Sequence, residues 1–203
     1  MNTNRGTVKA AAYQQAKDGK YTCGDSYFYE ETPDGYICAI ADGLGSGSLA
    51  KDSSQVVIDV IQKHLDAEPE EIIKEINKEL VGKRGVVIGI LKLNFESGHY
   101  SFLSVGNIGL MAIANNRKKY RTITNAGYLA GYQRSFKVEQ RDLEPNMNFI
   151  MFSDGVTERE LSEDYMKDRN VEDIVKIYSK LTESEKRKDD TTLVALRYEK
   201  HVD

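Results

Sequence analysis

Helical periodicity is concentrated in one block of this chain, with strand-like patterning on both sides of it. Val56, Val57, Val60, Ile61 and Leu65 fall on one face of a helix expected over 49–65. A second helix starts at Glu68-Pro69-Glu70 and carries the stripe Ile72, Ile73, Ile76 and Leu80. Before this block, 7–14, 27–31 and 36–41 read as strands, with a turn at Pro33-Asp34-Gly35. After it come three expected hairpins. The first joins 86–95 to 100–105 through Glu96-Ser97-Gly98, and the second joins 108–114 to 119–123 through Asn115-Asn116. The third joins 136–143 to 149–152 through Pro145-Asn146. A short helix over 171–181 precedes a last strand over 192–198. Strict strand–helix–strand alternation is absent, so the pattern predicts an α+β fold. Two antiparallel sheets packed face to face, with helices outside, would bury this many strands.

The 203 residues suit one domain spanning 1–203. A formal net charge of -4 argues against a nucleic-acid or anionic-membrane partner, both of which need a basic footprint. The two cysteines, Cys23 and Cys38, read as small buried apolar residues of a reducing compartment. His64, His99 and His201 are spaced for neither a Cys–His pair nor a zinc site. The N-terminus shows no signal peptide, and no apolar run is long enough to span a bilayer. The expected location is cytoplasmic.

Four short acidic motifs sit at strand boundaries. They are Gly24-Asp25, Asp42-Gly43, Ser153-Asp154-Gly155 and Asp189-Asp190-Thr191-Thr192. Each alone reads as a turn or a solvated charge run. Together they place carboxylates where the strand ends of one sandwich converge. Mg²⁺ and Mn²⁺ take hard oxygen ligands, and a shared carboxylate lets two such ions sit about 3.5–4 Å apart.

In this order the motifs resemble the metal-dependent PPM serine/threonine phosphatases. The stretches 23–26, 41–50 and 187–190 resemble the compact bacterial branch that resets the stressosome of the sigma-B stress pathway. The resemblance implies a four-layer α-β-β-α sandwich and two Mn²⁺ or Mg²⁺ ions. It implies that Asp42 bridges both ions, that Asp154 and Asp189 hold the first, and that Asp25 and the Gly43 carbonyl hold the second. Asp190 would stand behind these ligands. Water would attack phosphorus directly. The substrates would be phosphoserine or phosphothreonine on stressosome scaffold proteins, and the role negative feedback on the sigma-B response.

Some residues depart from that pattern. Leu44 occupies the place where many members carry a His proposed as leaving-group acid. Arg5 lies in no motif that would assign it to phosphate. The run Gly45-Ser46-Gly47-Ser48-Leu49-Ala50 fits the dinucleotide fingerprint G-x-G-x-x-A. Two helices follow it before the next strand, whereas a dinucleotide fold returns to a strand after one. The competing class is a phosphatase-like module that binds phosphorylated regulators without turnover. The four intact acidic motifs weigh against it. Tyr27, Tyr29, Tyr100 and Tyr128 read as strand-face packing, and Arg117-Lys118-Lys119 as a solvated hairpin tip. Lys186-Arg187-Lys188 reads as a basic run beside the metal site, placed to steer a phosphorylated substrate.

Overall fold

The structure is a computed structural model describing residues 6–115, 119–122, 124–132, 134–167, 170–183 and 185–200. Its strands are β1 (Thr7–Gln15), β2 (Asp25–Thr32), β3 (Gly35–Gly43), β4 (Val86–Asn94), β5 (His99–Val105), β6 (Gly109–Ile113), β7 (Lys119–Arg121), β8 (Glu139–Asp142), β9 (Asn148–Phe152) and β10 (Thr191–Glu199). Its helices are α1 (Ser48–Lys63), α2 (Pro69–Glu79), α3 (Glu158–Ser162) and α4 (Val171–Thr182). The first sheet runs β1-β10-β9-β6-β7 and the second β2-β3-β4-β5-β8, each antiparallel throughout.

β3 shows how the layers arise. Alternate residues of a strand point to opposite faces. Tyr36, Cys38 and Ile40 turn toward the other sheet, where they join Phe149, Met151, Val194 and Leu196. Ile37, Ala39 and Ala41 turn outward, where α1 and α2 cover them with Val57, Ile61, Ile72 and Ile76. Both faces are therefore covered, which is why β3 reads as an unbroken apolar run. On the far side, α3 and α4 lay Leu161, Ile174 and Tyr178 over Met111, Ile150 and Leu193. The result is the four-layer α-β-β-α sandwich. Each fully buried Leu, Ile or Phe contributes roughly 1.5–3 kcal/mol of apolar burial to it.

The expected third hairpin does not form. β8 pairs with β5 in the second sheet, whereas β9 lies between β10 and β6 in the first. The Pro145-Asn146 turn is a crossing between sheets. Asn146 takes a φ of 63°, and its carbonyl accepts from Arg197 Nη1 at 2.8 Å. Two of the expected strands are short: β7 ends at Arg121, and β8 begins only at Glu139. The Arg117-Lys118 tip, Asn116, Ile123, Arg5 and His201 lie outside the described residues. Tyr100 is buried and Tyr27 stacks on Tyr29 along β2, but Tyr128 lies off the strands and is 53% exposed. Cys38 is buried and Cys23 half-buried, neither in a disulfide. Burial, with Asp25 alongside, pushes the Cys23 thiol up to about 12, which leaves it unreactive.

Candidate active site

Asp25 and Asp42 are direct partners across the β2–β3 ladder, so their side chains leave the same face of the second sheet. Asp154 follows β9 in the first sheet, and Asp189 precedes β10. Those two neighbouring strands are stitched at this end. Ser153 N donates to Thr192 O at 3.0 Å, and Thr192 N donates to Ser153 Oγ at 2.9 Å. Thr192 then ties the sheets together, its Oγ1 donating to Asp25 Oδ2 at 2.6 Å. Gln14 Nε2 donates to Thr192 Oγ1 at 3.0 Å.

Glycine 43 allows α1 to start close behind this edge. A methyl group there would overlap the backbone of Ala50. Lys51 and Ser54 of α1 reach back to the start of β2. Lys51 Nζ donates to the Asp25 carbonyl at 2.9 Å, and Ser54 Oγ to the Gly24 carbonyl at 2.6 Å. Asp190 is buried, and both its oxygens accept from backbone amides. Lys17 N donates to Oδ1 at 2.9 Å and Gly24 N to Oδ2 at 2.8 Å. It thus fixes the loop leading into Asp25, which accounts for its burial beside an exposed Asp189.

The electrostatics record how close the carboxylates are. Burial first, then the charges of Asp25, Asp154, Asp189 and Asp190, push Asp42 up to about 8. Burial pushes Asp25 up to about 6, against the hydrogen bond from Thr192. Asp154 is also raised, by burial and by Asp189, with Asn107 opposing. The four carboxylates face one another but do not close into a tight cluster. Among the described residues no three His, Cys, Asp or Glu side chains meet closely enough to hold one ion as they stand.

The donor set fits divalent cations on one orphaned atom in particular. Asp25 is fully buried, and its Oδ1 has no hydrogen-bond partner. A buried carboxylate oxygen without a donor is costly unless a cation satisfies it. Hard, oxygen-only ligands suit Mg²⁺ and Mn²⁺.

A raised carboxyl binds its proton more tightly folded than unfolded. The native state then holds more protons between the ordinary carboxylate range and about 8, so stability falls as pH rises through that window. Urea denaturation in a chelator is expected to give a lower midpoint at pH 8 than at pH 5. Asp42→Asn is expected to remove most of the difference, and Mg²⁺ to offset it. A midpoint that rises with pH in chelator would contradict this electrostatic account.

Several contributors carried no signal that the sequence reading used. Asn107 Nδ2 donates to Asp154 Oδ2 at 2.7 Å from the turn after β5. Lys17 Nζ lies 3.9 Å from Asp189 Oδ1. Arg187 was expected as an exposed steering cation, but it is buried. Its Nη2 meets Glu160 Oε1 at 2.8 Å, and its Nη1 donates to the Gly155 carbonyl at 3.3 Å. Lys186 and Lys188 stay exposed, with Lys186 3.5 Å from Asp18.

This fold and acidic edge define a PP2C-type phosphatase domain. The sequence profile of the Stage II sporulation protein E (SpoIIE) family matches residues 32–199, and the chain belongs to that family. It is a metal-dependent protein phosphatase. It is 34% identical over 187 residues to the phosphoserine phosphatase RsbX of Bacillus subtilis (strain 168), covering 92% of this chain and 93% of RsbX. The crystal structure of RsbX in complex with magnesium superposes with a TM-score of 0.83 at 31% identity, covering 97% of this chain and 98% of that one. The catalytic domain of the serine/threonine phosphatase PstP, in complex with two manganese ions, shares the fold at 13% identity. Its TM-score is 0.79, over 96% of this chain and 100% of that one. Mg²⁺ and Mn²⁺ are accordingly the cofactors of this class.

Proposed function

We propose that the protein hydrolyses phosphoserine and phosphothreonine on scaffold proteins of a stressosome, as negative feedback on a sigma-B stress response, and that residues 1–203 form a single phosphatase domain acting in the cytoplasm. The observation that carries this reading is the meeting of the Asp25–Asp42 pair with Asp154 and Asp189 at one edge of the sandwich, joined by Thr192. The likeness to RsbX over nearly the whole chain supports the choice of substrate class. Among the described residues no helix is long and apolar enough to cross a membrane.

In this reading Asp42 would be shared between the two ions, Asp154 and Asp189 would help hold the first, and Asp25 and the Gly43 carbonyl would help hold the second. Bound there, the ions supply Lewis acidity toward phosphoryl oxygens and a nucleophile at neutral pH. The chain's own residues orient the ligands. Thr192 turns Asp25 by holding Oδ2 and leaving Oδ1 free, and Asn107 holds one oxygen of Asp154. Leu44 supplies no proton at the position after Gly43, so the leaving oxygen draws on solvent.

The test is phosphate release from a phosphorylated scaffold protein and from p-nitrophenyl phosphate, with Mn²⁺ and with a chelator. Release is expected only with Mn²⁺. Tight binding of the phosphorylated scaffold with no release from either substrate would instead make the protein a binding module.

A further inference from the structure

Beside the acidic edge the surface changes character. Leu44 is 37% exposed and Tyr128 53% exposed. Large apolar side chains scattered singly need no explanation, but these two are adjacent. A methyl group on Gly85 would lie 2.5 Å from the Tyr128 ring and 2.7 Å from Leu44 Cδ1, so both side chains rest over that one glycine. The backbone builds this contact. Leu44 N donates to the Gly85 carbonyl at 2.8 Å. Val86 and Leu129 exchange amide hydrogen bonds of 2.9 and 2.8 Å, which brings the segment carrying Tyr128 against the start of β4. That segment is also pinned to α2, where Asn77 Nδ2 donates to the Tyr132 carbonyl at 3.1 Å. The ledge is therefore preformed.

Two guanidinium groups flank it. Arg84 Nη1 reaches the Leu44 carbonyl at 3.4 Å and lies against Gly45. Arg134 Nη1 reaches the Ala126 carbonyl at 3.4 Å, next to Gly127, and its guanidinium stacks over Phe136 at 5.7 Å. Among the described residues neither has a carboxylate partner. In a chain of net charge -4, two unpaired guanidiniums on either side of an apolar ledge are a complementary surface for an acidic segment.

We infer that Leu44, Gly85 and Tyr128, with Arg84 and Arg134 beside them, dock the substrate chain next to its phosphorylated residue and select an apolar side chain accompanied by an acidic one. The inference rests on the phosphatase reading and adds to it a sequence preference. The ledge begins two residues after Asp42, so a peptide whose phosphate faces the acidic edge has only its nearest neighbours within reach of Leu44 and Tyr128.

The experiment compares four synthetic phosphoserine peptides carrying Leu-Asp, Leu-Lys, Ala-Asp or Ala-Lys beside the phosphoserine. Each is measured as kcat/KM relative to p-nitrophenyl phosphate in the same preparation. Wild type is expected to favour Leu-Asp over Ala-Lys by about tenfold or more, the scale one apolar contact supplies. The Leu component is expected to disappear in Tyr128→Ala and Leu44→Ser. The Asp component should shrink in Arg84→Ala, and in wild type as salt is raised. Mg²⁺ titration by calorimetry reports whether each variant keeps its metal site. Equal kcat/KM for all four peptides in an active wild type would overturn the inference and leave the phosphatase reading standing. Variants that bind Mg²⁺ normally and keep the wild-type preference would overturn it as well. No turnover of p-nitrophenyl phosphate or any peptide by wild type would overturn both.

Discussion

Asp42→Ala is expected to lower Mn²⁺-dependent phosphate release by about a thousandfold or more. Asp42 alone stands across the ladder from Asp25 and within the field of Asp154, Asp189 and Asp190. It is the side chain from which both proposed ions would be reached. Losing a shared ligand removes several kcal/mol of transition-state charge stabilisation, and about 4 kcal/mol corresponds to a thousandfold in rate. The same change removes the carboxyl most penalised by burial and by its neighbours. The variant is therefore expected to fold, and in chelator at pH 8 to be more stable than wild type rather than less. Release kinetics and urea denaturation on the same preparations separate the two effects. An Asp42→Ala protein that keeps wild-type turnover would remove Asp42 from the mechanism. One that fails to fold would show that Asp42 holds the β2–β3 edge together.

The layers were legible because period and length agreed. β3, β4 and β10 are buried at every residue but Asp42, Asn94 and Glu199, and α1 and α2 carry one-sided stripes. What failed was partner choice. Residues 136–143 and 149–152 flank a turn signal, yet a turn signal does not specify whether the chain reverses within a sheet or crosses to another. Here Asn148 to Phe152 are needed between β10 and β6, so tertiary pairing overrides the local hairpin. Helix α3 was passed over although its start is written in the sequence. Thr157 and Glu160 form a capping box, with Thr157 N donating to Glu160 Oε2 at 2.6 Å and Glu160 N to Thr157 Oγ1 at 3.4 Å. The aspartates were legible because their motifs are local. Thr192, Asn107 and Lys17 were assigned no role, because nothing in their own neighbourhoods says which carboxylate each will meet. Arg187 misled for a related reason. Its exposed neighbours Lys186 and Lys188 make a run of charge, and one residue of that run turns inward.

That inward turn supports the second large expectation. Arg187 belongs to the loop that carries Asp189, and it reaches the loop that carries Asp154 through the Gly155 carbonyl. Its own carbonyl accepts from Asp18 N at 2.9 Å, and its Nη2 donates to Tyr178 Oη at 3.3 Å. Gly155 is packed tightly against Asp190 and Thr191, leaving no room for a methyl group. Burial, the largest single influence, would raise the Glu160 carboxyl, but the hydrogen bonds from Arg187 and Thr157 and the Arg187 charge together outweigh it and leave the group below its ordinary value. Arg187→Ala removes the cation and the donor to Glu160 Oε1 in a nearly closed site, where the two side chains are 5% and 15% exposed, and leaves the charge held by Thr157 through Oε2 alone. Breaking such a pair costs about 3–5 kcal/mol, whereas replacing both partners by apolar groups is often neutral. Arg187→Ala is thus expected to lower stability by that amount in urea denaturation, and Arg187→Met with Glu160→Leu to recover all but the ~1 kcal/mol that loss of the Thr157–Glu160 capping box costs. The double variant still lacks the donor that holds the Gly155 carbonyl. Its affinity for Mn²⁺, measured by calorimetry, is expected to fall about 10–100-fold, the usual effect of losing a group that orients metal ligands. A double variant with wild-type stability and wild-type Mn²⁺ affinity would show that Arg187 serves only the packing between α4 and the first sheet. One that is stable but binds Mn²⁺ weakly would make this buried pair the element that sets the spacing of Asp154 and Asp189.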